Sequence, residues 1–270
     1  MNNELAKILH SFRTHAKSER EKGTYFEELV KVYLLNEPKY KELFSDVWLY
    51  AEYATKYNLT KIDTGIDLVA KTSSNELYAI QSKFYDSDYK VQKSDIDSFF
   101  TASGKKEFSK RIIVSTSSHW SENAEDALYG QNPPVVKISY EDLENSVIQW
   151  KKFVSDKKIV LKPKKKLREH QAVAITRVKS GLAKEDRGKL IMACGTGKTF
   201  TSLKLTEEIV GKGKTVLFLV PSLALLSQTL TEWTQESEIP LKSFAVCSDS
   251  EIGKMRSKNS EIVEKLVHIL

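Results

Sequence analysis

A short glycine-containing segment between an apolar run and a helical pattern places the strongest constraint on the fold. Residues 192–199 read MACGTGKT, where the predicted strand GKLIMAC ends and directly before a helix predicted from Thr199 to about Val210. Gly195 and Gly197 let the backbone approach an anion closely, and a helix N-terminus directs its amide hydrogens and dipole at that anion. A strand, a glycine turn and a helix in this order predict a phosphate-binding loop in a parallel α/β sheet.

The polar residues of this loop have the roles that nucleotide binding requires. We expect Lys198 to reach the β- and γ-phosphates of ATP and Thr199 to ligate Mg²⁺, with Thr196 and the two glycines in the same ATP-binding loop. Met192 stands where the usual first glycine of the motif would be. The alternative is a glycine-rich turn without a ligand, which the flanking strand and helix disfavour.

The residues around the loop continue the alternation of strands and helices. KTVLFLV and KSFAVC predict strands, PSLALLSQTLTEW predicts a helix, and LREHQAVAITRVKSG predicts a helix that ends at Gly181. LREHQ, MACGTGKT and LVPSLALLSQ resemble the start of a superfamily 2 helicase motor, as found in restriction-enzyme translocases. The resemblance implies that Gln171 contacts adenine and that Pro221 and Ser222 begin a motif that touches the DNA backbone. Alternatively, Gln171 is an exposed helix residue and SLALLSQ an ordinary amphipathic helix.

Residues 1–150 predict a separate small α/β domain. Apolar side chains at helical spacing predict a helix over 24–36, and GIDLVAKTSSNELYAIQSKF at 65–84 predicts two strands around a polar turn. A helix is expected over about 92–102. RIIVSTSS and VVKIS predict strands, and SENAEDALYG predicts a short helix capped by Ser121. A further short helix is expected after Ser139.

The hairpin carries polar residues that fit metal-dependent chemistry. Side chains two apart in a strand share a face, so Gln81 and Lys83 point the same way, and pairing of the strands brings Asp67 towards them. Carboxylate and amide oxygens suit Mg²⁺, and a lysine can orient water or stabilise charge on a phosphate. We therefore expect a phosphodiester-cleaving site here, although an uncharged Gln81 holds a cation less strongly than a glutamate.

The same residues carry a resemblance to a nuclease family. GID at 65–67, QSK at 81–83 and FEELV at 26–30 resemble the Mrr-like branch of PD-(D/E)xK nucleases. The resemblance implies an Mrr-like restriction-endonuclease fold in which Glu27 joins Asp67 and Gln81 as a catalytic metal ligand. TSSHWSENAEDAL, from Thr116, resembles a later strand end and helix of that branch.

Ordinary structural roles remain open for each of these residues. Glu27 could complete a capping box that begins at Thr24, and Asp67 could be a polar residue at a sheet edge. Asp63 fits a turn better than a metal site. The side chains of His10, His15, His119 and Trp120 are expected to pack or to lie at the surface.

Charge is concentrated in one short segment. The net charge of +6 includes eight lysines and one aspartate within residues 151–166, which predict a solvated linker or, alternatively, a contact with DNA phosphates. Two cysteines without metal-like spacing, no secretory signal and no long apolar run favour a cytoplasmic protein that does not enter a membrane.

Together the motifs predict a nuclease domain at 1–150, a lysine-rich linker at 151–166 and part of a RecA-like motor lobe at 167–270. This order is most similar to the single-polypeptide type I (type ISP) restriction-modification enzymes. The resemblance implies ATP-driven translocation on double-stranded DNA. It also implies further parts of the chain: the rest of the motor, an adenine-N6 methyltransferase that uses S-adenosylmethionine, and a target-recognition domain.

The motor is expected to continue past Leu270. The acidic residues at 248–251, Glu261 and Glu264 do not fit the second carboxylate motif that such motors need. The alternative function is an ATP-driven repair or remodelling helicase whose nuclease-like domain only binds DNA.

Overall fold

A computed structural model describes residues 4–59, 65–156, 159–243 and 245 of the chain. The chain divides into two compact units, Met1–Lys162 and Pro163–Leu270. The lysine-rich segment begins inside the first unit, where Trp150–Asp156 is helical and Ile148 forms a β-bridge with Leu161.

The first unit is a five-stranded sheet with helices on both faces. Its helices are α1 (Glu4–His15), α2 (Glu19–Asn36), α3 (Pro38–Lys41), α4 (Tyr50–Lys56), α5 (Asp97–Ser103), α6 (Glu122–Leu128), α7 (Tyr140–Glu144) and α8 (Trp150–Asp156), and a 3₁₀ turn covers Lys93–Asp95. Its strands follow one another in space as in sequence: β1 (Phe44–Leu49), β2 (Leu68–Thr72), β3 (Leu77–Lys83), β4 (Phe108–Ser115) and β5 (Val135–Ile138). The first three strands pair antiparallel, and β3, β4 and β5 pair parallel.

Each face of the sheet has its own apolar core, because side chains alternate along the strands. Tyr78 and Ile80 of β3 pack with the buried residues of α1 and α2. Ala79 between them packs with residues of α4, α5 and α6. The alternation therefore places Gln81, which follows two residues after Ala79, on the α5 face of the sheet.

The hairpin has the predicted register. Leu68 pairs with Ile80 in an antiparallel ladder, which places Asp67 opposite Gln81. Two hydrogen bonds between Thr72 and Glu76 close the turn between the strands. The Thr72 N–H donates to the Glu76 carbonyl at 2.9 Å. The Glu76 N–H donates to the Thr72 hydroxyl at 3.0 Å.

The helix caps confirm two predictions and exclude an alternative. Ser121 and Ser139 cap α6 and α7 through their side chains, as expected. The second helix begins five residues earlier than predicted, with Ser18 as its cap. Thr24 therefore lies inside α2, where its hydroxyl donates to the Arg20 carbonyl. The capping-box alternative for Glu27 is wrong, because a cap belongs to the first turn of a helix.

The second unit contains three described helices, α9 (Glu169–Leu182), α10 (Lys198–Ile209) and α11 (Leu223–Glu236). The predicted helices are present, although α9 runs through Gly181 instead of ending there. The small apolar core of this unit consists of Phe200, Leu203 and Trp233.

The strands predicted at residues 188–194 and 214–220 are not formed, and the strand predicted over KSFAVC, at 242–247, lies partly outside the described residues. Their apolar side chains are open to solvent: Ile191 is 91% exposed, Leu217 82% and Leu219 80%. A strand is stabilised by hydrogen bonds to a neighbouring strand, and within the described residues these two runs form no ladder with each other. None of the described helices has the length and apolar character needed to cross a lipid bilayer.

Candidate active site and phosphate loop

The candidate active site lies where β2 begins and β3 ends. Asp67 comes directly before β2, and its N–H donates to the Ile80 carbonyl at 2.9 Å, so the ladder already holds its backbone. Its carboxylate Oδ2 accepts hydrogen bonds from the Ser82 N–H at 2.7 Å and from the Ser82 hydroxyl at 3.2 Å. Ser82 lies between the two predicted residues of β3, and its role in orienting Asp67 was not predicted.

Gln81, the residue of β3 opposite Asp67, has a buried side-chain oxygen. The side chain is 2% exposed, and its Nε2 donates to the Gly65 carbonyl at 3.1 Å. Because a carbonyl only accepts, the amide nitrogen faces Gly65 and Oε1 is turned the other way. Gln81 Oε1 is buried and has no hydrogen-bond partner among the residues that the structure describes. Such an oxygen fits a cation that prefers oxygen ligands, so the donor set of Asp67 and Gln81 fits Mg²⁺.

Gly65 is required by the close approach of the chain to α5. Its φ is +83°, a left-handed conformation that favours glycine. A Cβ atom at this position would lie 3.0 Å from Ser98 Oγ and 3.2 Å from the Phe99 nitrogen. The carbonyl of Gly65 thus accepts the hydrogen bond from Gln81, and the absence of a side chain at Gly65 lets the chain pass close to α5 before it reaches Asp67.

Lys83 ends β3, and Glu27 lies on α2, the helix whose Phe26 stacks on the residue after Lys83. Lys83 is half-buried, ends β3 and shares the face of Gln81 by alternation. Glu27 is half-buried on α2, and the ring of the preceding Phe26 stacks on Phe84 at 5.2 Å between ring centroids. The structure therefore groups Asp67, Gln81 and Lys83 on the hairpin and brings α2 to its end. A metal-ligating role for Glu27 stays a prediction.

The remaining acidic and histidine candidates add no ligands to this group. Asp63 lies outside the described residues. His10, His15 and His119 are exposed, as expected. Within the part of the chain that the structure describes, no group of three or more His, Cys, Asp and Glu side chains could hold a metal ion. A site here consequently depends on the amide oxygen of Gln81.

The phosphate loop has its predicted backbone. Gly195 and Gly197 adopt φ values of +76° and +79°, and α10 begins at Lys198 without a side-chain cap on its N-terminus. The Lys198 ammonium donates to the Ala193 carbonyl at 3.2 Å, and the Thr196 hydroxyl donates to the same carbonyl at 2.7 Å. Two of the loop's own side chains therefore hydrogen-bond its backbone, and the N-terminus of α10 has no side-chain cap.

Gln171 supports this loop from α9. It is 3% exposed, which rules out an ordinary exposed helix residue. Its Oε1 accepts from the Arg168 N–H at 2.9 Å, and its Nε2 donates to the Thr196 carbonyl at 3.1 Å. A Cβ at Gly197 would lie 2.6 Å from this Nε2, so the contact also requires glycine. His170, which was not predicted, places its Nε2 3.2 Å from the Thr196 carbonyl.

Two further contacts support the loop and α11. Ser222 caps α11, accepting from the Leu225 N–H at 3.3 Å, so SLALLSQ begins a helix as predicted. The indole N–H of Trp233 donates to the Thr199 carbonyl at 3.1 Å. Helix α11 therefore holds the first turn of α10 directly behind the phosphate loop.

Two lysines of the predicted linker are paired within the second unit. Lys164 lies 3.3 Å from a carboxylate oxygen of Glu238, and Lys165 lies 2.8 Å from one of Glu232 and 3.8 Å from one of Glu236. Both lysine side chains remain about half exposed, at 42% for Lys164 and 56% for Lys165. A solvated linker and a contact with DNA phosphates therefore both stay predictions.

Comparison with known proteins matches both units to restriction enzymes. Residues 35–160 match a family of the Mrr type described as restriction endonuclease, and residues 164–267 match the family described as type III restriction enzyme, res subunit. The first match includes Asp67, Gln81 and Lys83 and begins after Glu27. The second includes the phosphate loop and Gln171. No curated protein matched the chain.

A solved structure of a restriction-modification enzyme is similar to most of the chain. The chain is similar to the ATP-dependent Type ISP restriction-modification enzyme LlaBIII bound to DNA, with a TM-score of 0.72 and 38% sequence identity. The match covers 87% of this chain and 15% of LlaBIII. The chain thus spans a small part of that enzyme's length.

Proposed function

We propose that this chain, which joins an Mrr-type restriction-endonuclease domain to a helicase-like domain of the type III restriction-enzyme family, works as part of an ATP-dependent restriction endonuclease and translocase on double-stranded DNA. Its order of domains and its likeness to LlaBIII, an enzyme bound to DNA, support the type ISP group. The single observation that carries the nuclease assignment is the buried oxygen of Gln81 opposite Asp67, which accepts no hydrogen bond from any described residue.

The chemistry of the nuclease site follows from its three hairpin residues. Asp67 supplies a negative charge that Ser82 orients, and Gln81 supplies a neutral oxygen that its bond to Gly65 orients. These two would hold Mg²⁺, which when bound polarises a phosphodiester and lowers the pKa of the attacking water. Lys83 would orient that water or stabilise negative charge on the phosphate as the bond to the leaving oxygen breaks. Glu27 would add a second carboxylate.

The second unit would supply movement. Gly195, Thr196, Gly197 and Lys198 would bind the phosphates of ATP, Thr199 its Mg²⁺ and Gln171 its adenine. A methyltransferase that uses S-adenosylmethionine, a target-recognition domain and the rest of the motor would belong to the same enzyme. Restriction acts on DNA that enters the cell, so we place the enzyme in the cytoplasm. The boundary between cleavage and motor functions would fall within residues 151–166.

One observation favours a second candidate function. The central ligand of the site is uncharged, since Gln81 stands where a glutamate would bind a cation more strongly. A nuclease-like domain that only binds DNA, attached to a repair or remodelling helicase, would retain the fold without metal-dependent cleavage.

The two candidates are separated by cleavage assays on the complete enzyme with Mg²⁺ and ATP. Asp67→Ala should abolish cleavage while ATPase activity stays at its native level. Asp46→Ala is the matched control, because Asp46 pairs with Lys71, four residues and ~13 Å along β2 from Asp67. Full cleavage by Asp67→Ala would contradict the nuclease site, and no cleavage by the native enzyme would favour the DNA-binding alternative.

Gln81 gives a second and more specific test. Gln81→Glu should keep cleavage and lower the Mg²⁺ concentration needed for half-maximal rate, because it adds a charge to the site. Gln81→Leu should abolish cleavage yet change the free energy of unfolding by no more than about 1 kcal/mol, because it removes an unsatisfied oxygen together with one hydrogen bond. A Gln81→Leu enzyme that still cleaves would remove Gln81 from the site.

A further inference from the structure

The chain immediately after Lys83 is held by the end of β4. Thr116, the first residue past β4, is 5% exposed, and its N–H donates to the Lys83 carbonyl at 3.1 Å. Its hydroxyl oxygen accepts from the Tyr85 N–H at 2.8 Å, and the hydroxyl donates to the Tyr85 carbonyl at 2.6 Å. One threonine therefore fixes both backbone groups of Tyr85 two residues beyond Lys83.

Arg13 holds the same segment from α1. Its Nη2 donates to the Tyr85 carbonyl at 2.7 Å, and its Nε lies 3.0 Å from the Asp86 carboxylate. Its guanidinium carbon lies 4.6 Å from the centroid of the Phe84 ring. A single side chain thus contacts all three residues that follow Lys83. A planar guanidinium suits this role because it can donate in two directions and stack on a ring at once.

The ring of Phe84 extends these contacts to α2. It stacks on Phe26 with ring planes 18° apart and meets Phe12 of α1 edge-on at 6.4 Å. Phe26 is fully buried and directly precedes Glu27. Segment 84–86 is therefore the place where α1, α2, β3 and β4 meet next to the candidate active site.

We propose that Arg13 is a positioning residue of the nuclease site and that Thr116 acts with it. Together they fix segment 84–86, so that the chain leaves β3 in one direction and the Lys83 ammonium, on its flexible four-carbon stem, stays on the face of Asp67 and Gln81. The inference rests on the proposed nuclease function. It extends the site to α1, which lies before the matched residues 35–160.

The test measures single-turnover DNA cleavage by the complete enzyme at saturating Mg²⁺ and DNA. Arg13→Ala should lower the cleavage rate by about tenfold or more, because small displacements of a reacting group are costly. The half-saturating Mg²⁺ concentration and the DNA affinity should stay unchanged, since Asp67 and Gln81 are untouched. Arg20→Ala, which removes an exposed arginine from α2, is the matched control and should cleave at the native rate.

A pair of substitutions at the other contact tests the same idea without changing charge. Thr116→Val keeps the shape of the side chain but loses the hydroxyl, and it should lower the rate as Arg13→Ala does. Thr116→Ser keeps the hydroxyl and should stay within about threefold of native, because the bonds to Tyr85 survive.

Three outcomes would overturn the proposal. Native cleavage by Arg13→Ala would show that Lys83 needs no such support. A rate loss matched by an equal loss of folded protein, or by a raised Mg²⁺ requirement, would show a merely structural role. Asp67→Ala and Lys83→Ala are assayed alongside: if they still cleave, the proposed function itself fails, whereas if they do not and Arg13→Ala does, only this inference fails.

Discussion

The two units build their candidate sites differently: one joins residues that are distant in the sequence, and the other uses contiguous residues. In the first, Asp67 and Gln81 are fourteen residues apart and meet only because a hairpin pairs in one register within a five-stranded sheet. In the second, residues 193–199 form the phosphate loop from contiguous chain, although neighbouring apolar runs pair with no strand in the described residues. A local motif thus keeps its shape without a neighbouring sheet, supported by single contacts from Gln171 and Trp233, whereas a site built across strands depends on the whole sheet.

The largest expected effect separates the two sites functionally. Lys198→Ala in the complete enzyme should lower ATP turnover by at least about 100-fold, because the ammonium is the main cation that this loop offers the phosphates. Cleavage that depends on movement should be lost with it, while the melting temperature of the first unit stays unchanged. Lys212→Ala, an exposed lysine after α10, is the control. ATPase activity retained by Lys198→Ala would contradict the assignment of the loop.

The dependence of the first site on its sheet can be broken at Arg111. This residue of β4 is 2% exposed and donates to the Phe100 carbonyl at 3.2 Å and to the Pro133 carbonyl at 2.8 Å. Arg111→Leu should destabilise the first unit by about 3 kcal/mol, because buried carbonyls lose their donors. Lys110→Leu, one residue earlier and half-buried, should cost less than about 1 kcal/mol.

Equal losses at positions 110 and 111, measured by chemical denaturation, would show that the burial of Arg111 has no special role. A loss confined to Arg111→Leu would confirm that one side chain joins α5 to the segment before β5.

Alkaline pH should act through buried tyrosines on the first unit alone. All eleven tyrosines lie at or before Tyr140, and residues 163–270 contain none. Burial raises the pKa of Tyr78 to about 12 and raises the pKa values of Tyr33 and Tyr40 well above their usual range. These groups stabilise the fold fully below the unfolded pKa near 10, and the stabilisation is lost as pH rises towards the folded values.

At pH 12, Tyr78 alone should lower the free energy of unfolding by about 2 kcal/mol relative to pH 9. Tyrosinate absorbance follows the first unit, and the second unit is followed through the fluorine NMR signal of 5-fluorotryptophan at Trp233, which is resolved from the signals of the three other tryptophans. Tyr78→Phe should remove that share of the pH dependence. Unfolding of both units at the same alkaline pH, with no effect of Tyr78→Phe, would contradict the prediction.

The smallest effect is expected at the paired lysines. Lys164→Ser and Lys165→Ser should each cost less than about 1 kcal/mol, because their ion pairs with α11 and Glu238 are largely exposed. Since acidic side chains already neutralise these lysines, the salt dependence of DNA binding should not change either. A flatter salt dependence in the double variant would restore them as DNA contacts.

The sequence predicted the elements whose signals are local. Period-two alternation placed Gln81 and Lys83 on one face of a strand, and both residues lie in the regular strand β3. The glycines of the phosphate loop and the serine caps of α6 and α7 were recognised because each acts within a few residues. The folds expected from the two resemblances are supported by matches to both domain families.

Features that depend on distant parts of the chain were missed. Strand β1 was not predicted, since Ser45 and Asp46 interrupt its pattern where the ladder to β2 is irregular. The runs at 188–192 and 214–220 have the composition of strands, but a strand needs a neighbour that composition does not supply. Arg13 was missed because its partners lie more than seventy residues away.

The length of the short turn between Thr72 and Glu76 determines which side chains of β3 lie on the face of the nuclease site. Inserting or deleting one residue there while β2 stays in place would shift β3 by one position and send the side chain of every later strand residue to the opposite face. Gln81 and Lys83 would then point towards α2, and Ile80 and Ser82 towards α5. A change of two residues would preserve the faces but move Gln81 away from Asp67. Natural variation in this enzyme's relatives should therefore spare the length of this turn even where its residues change.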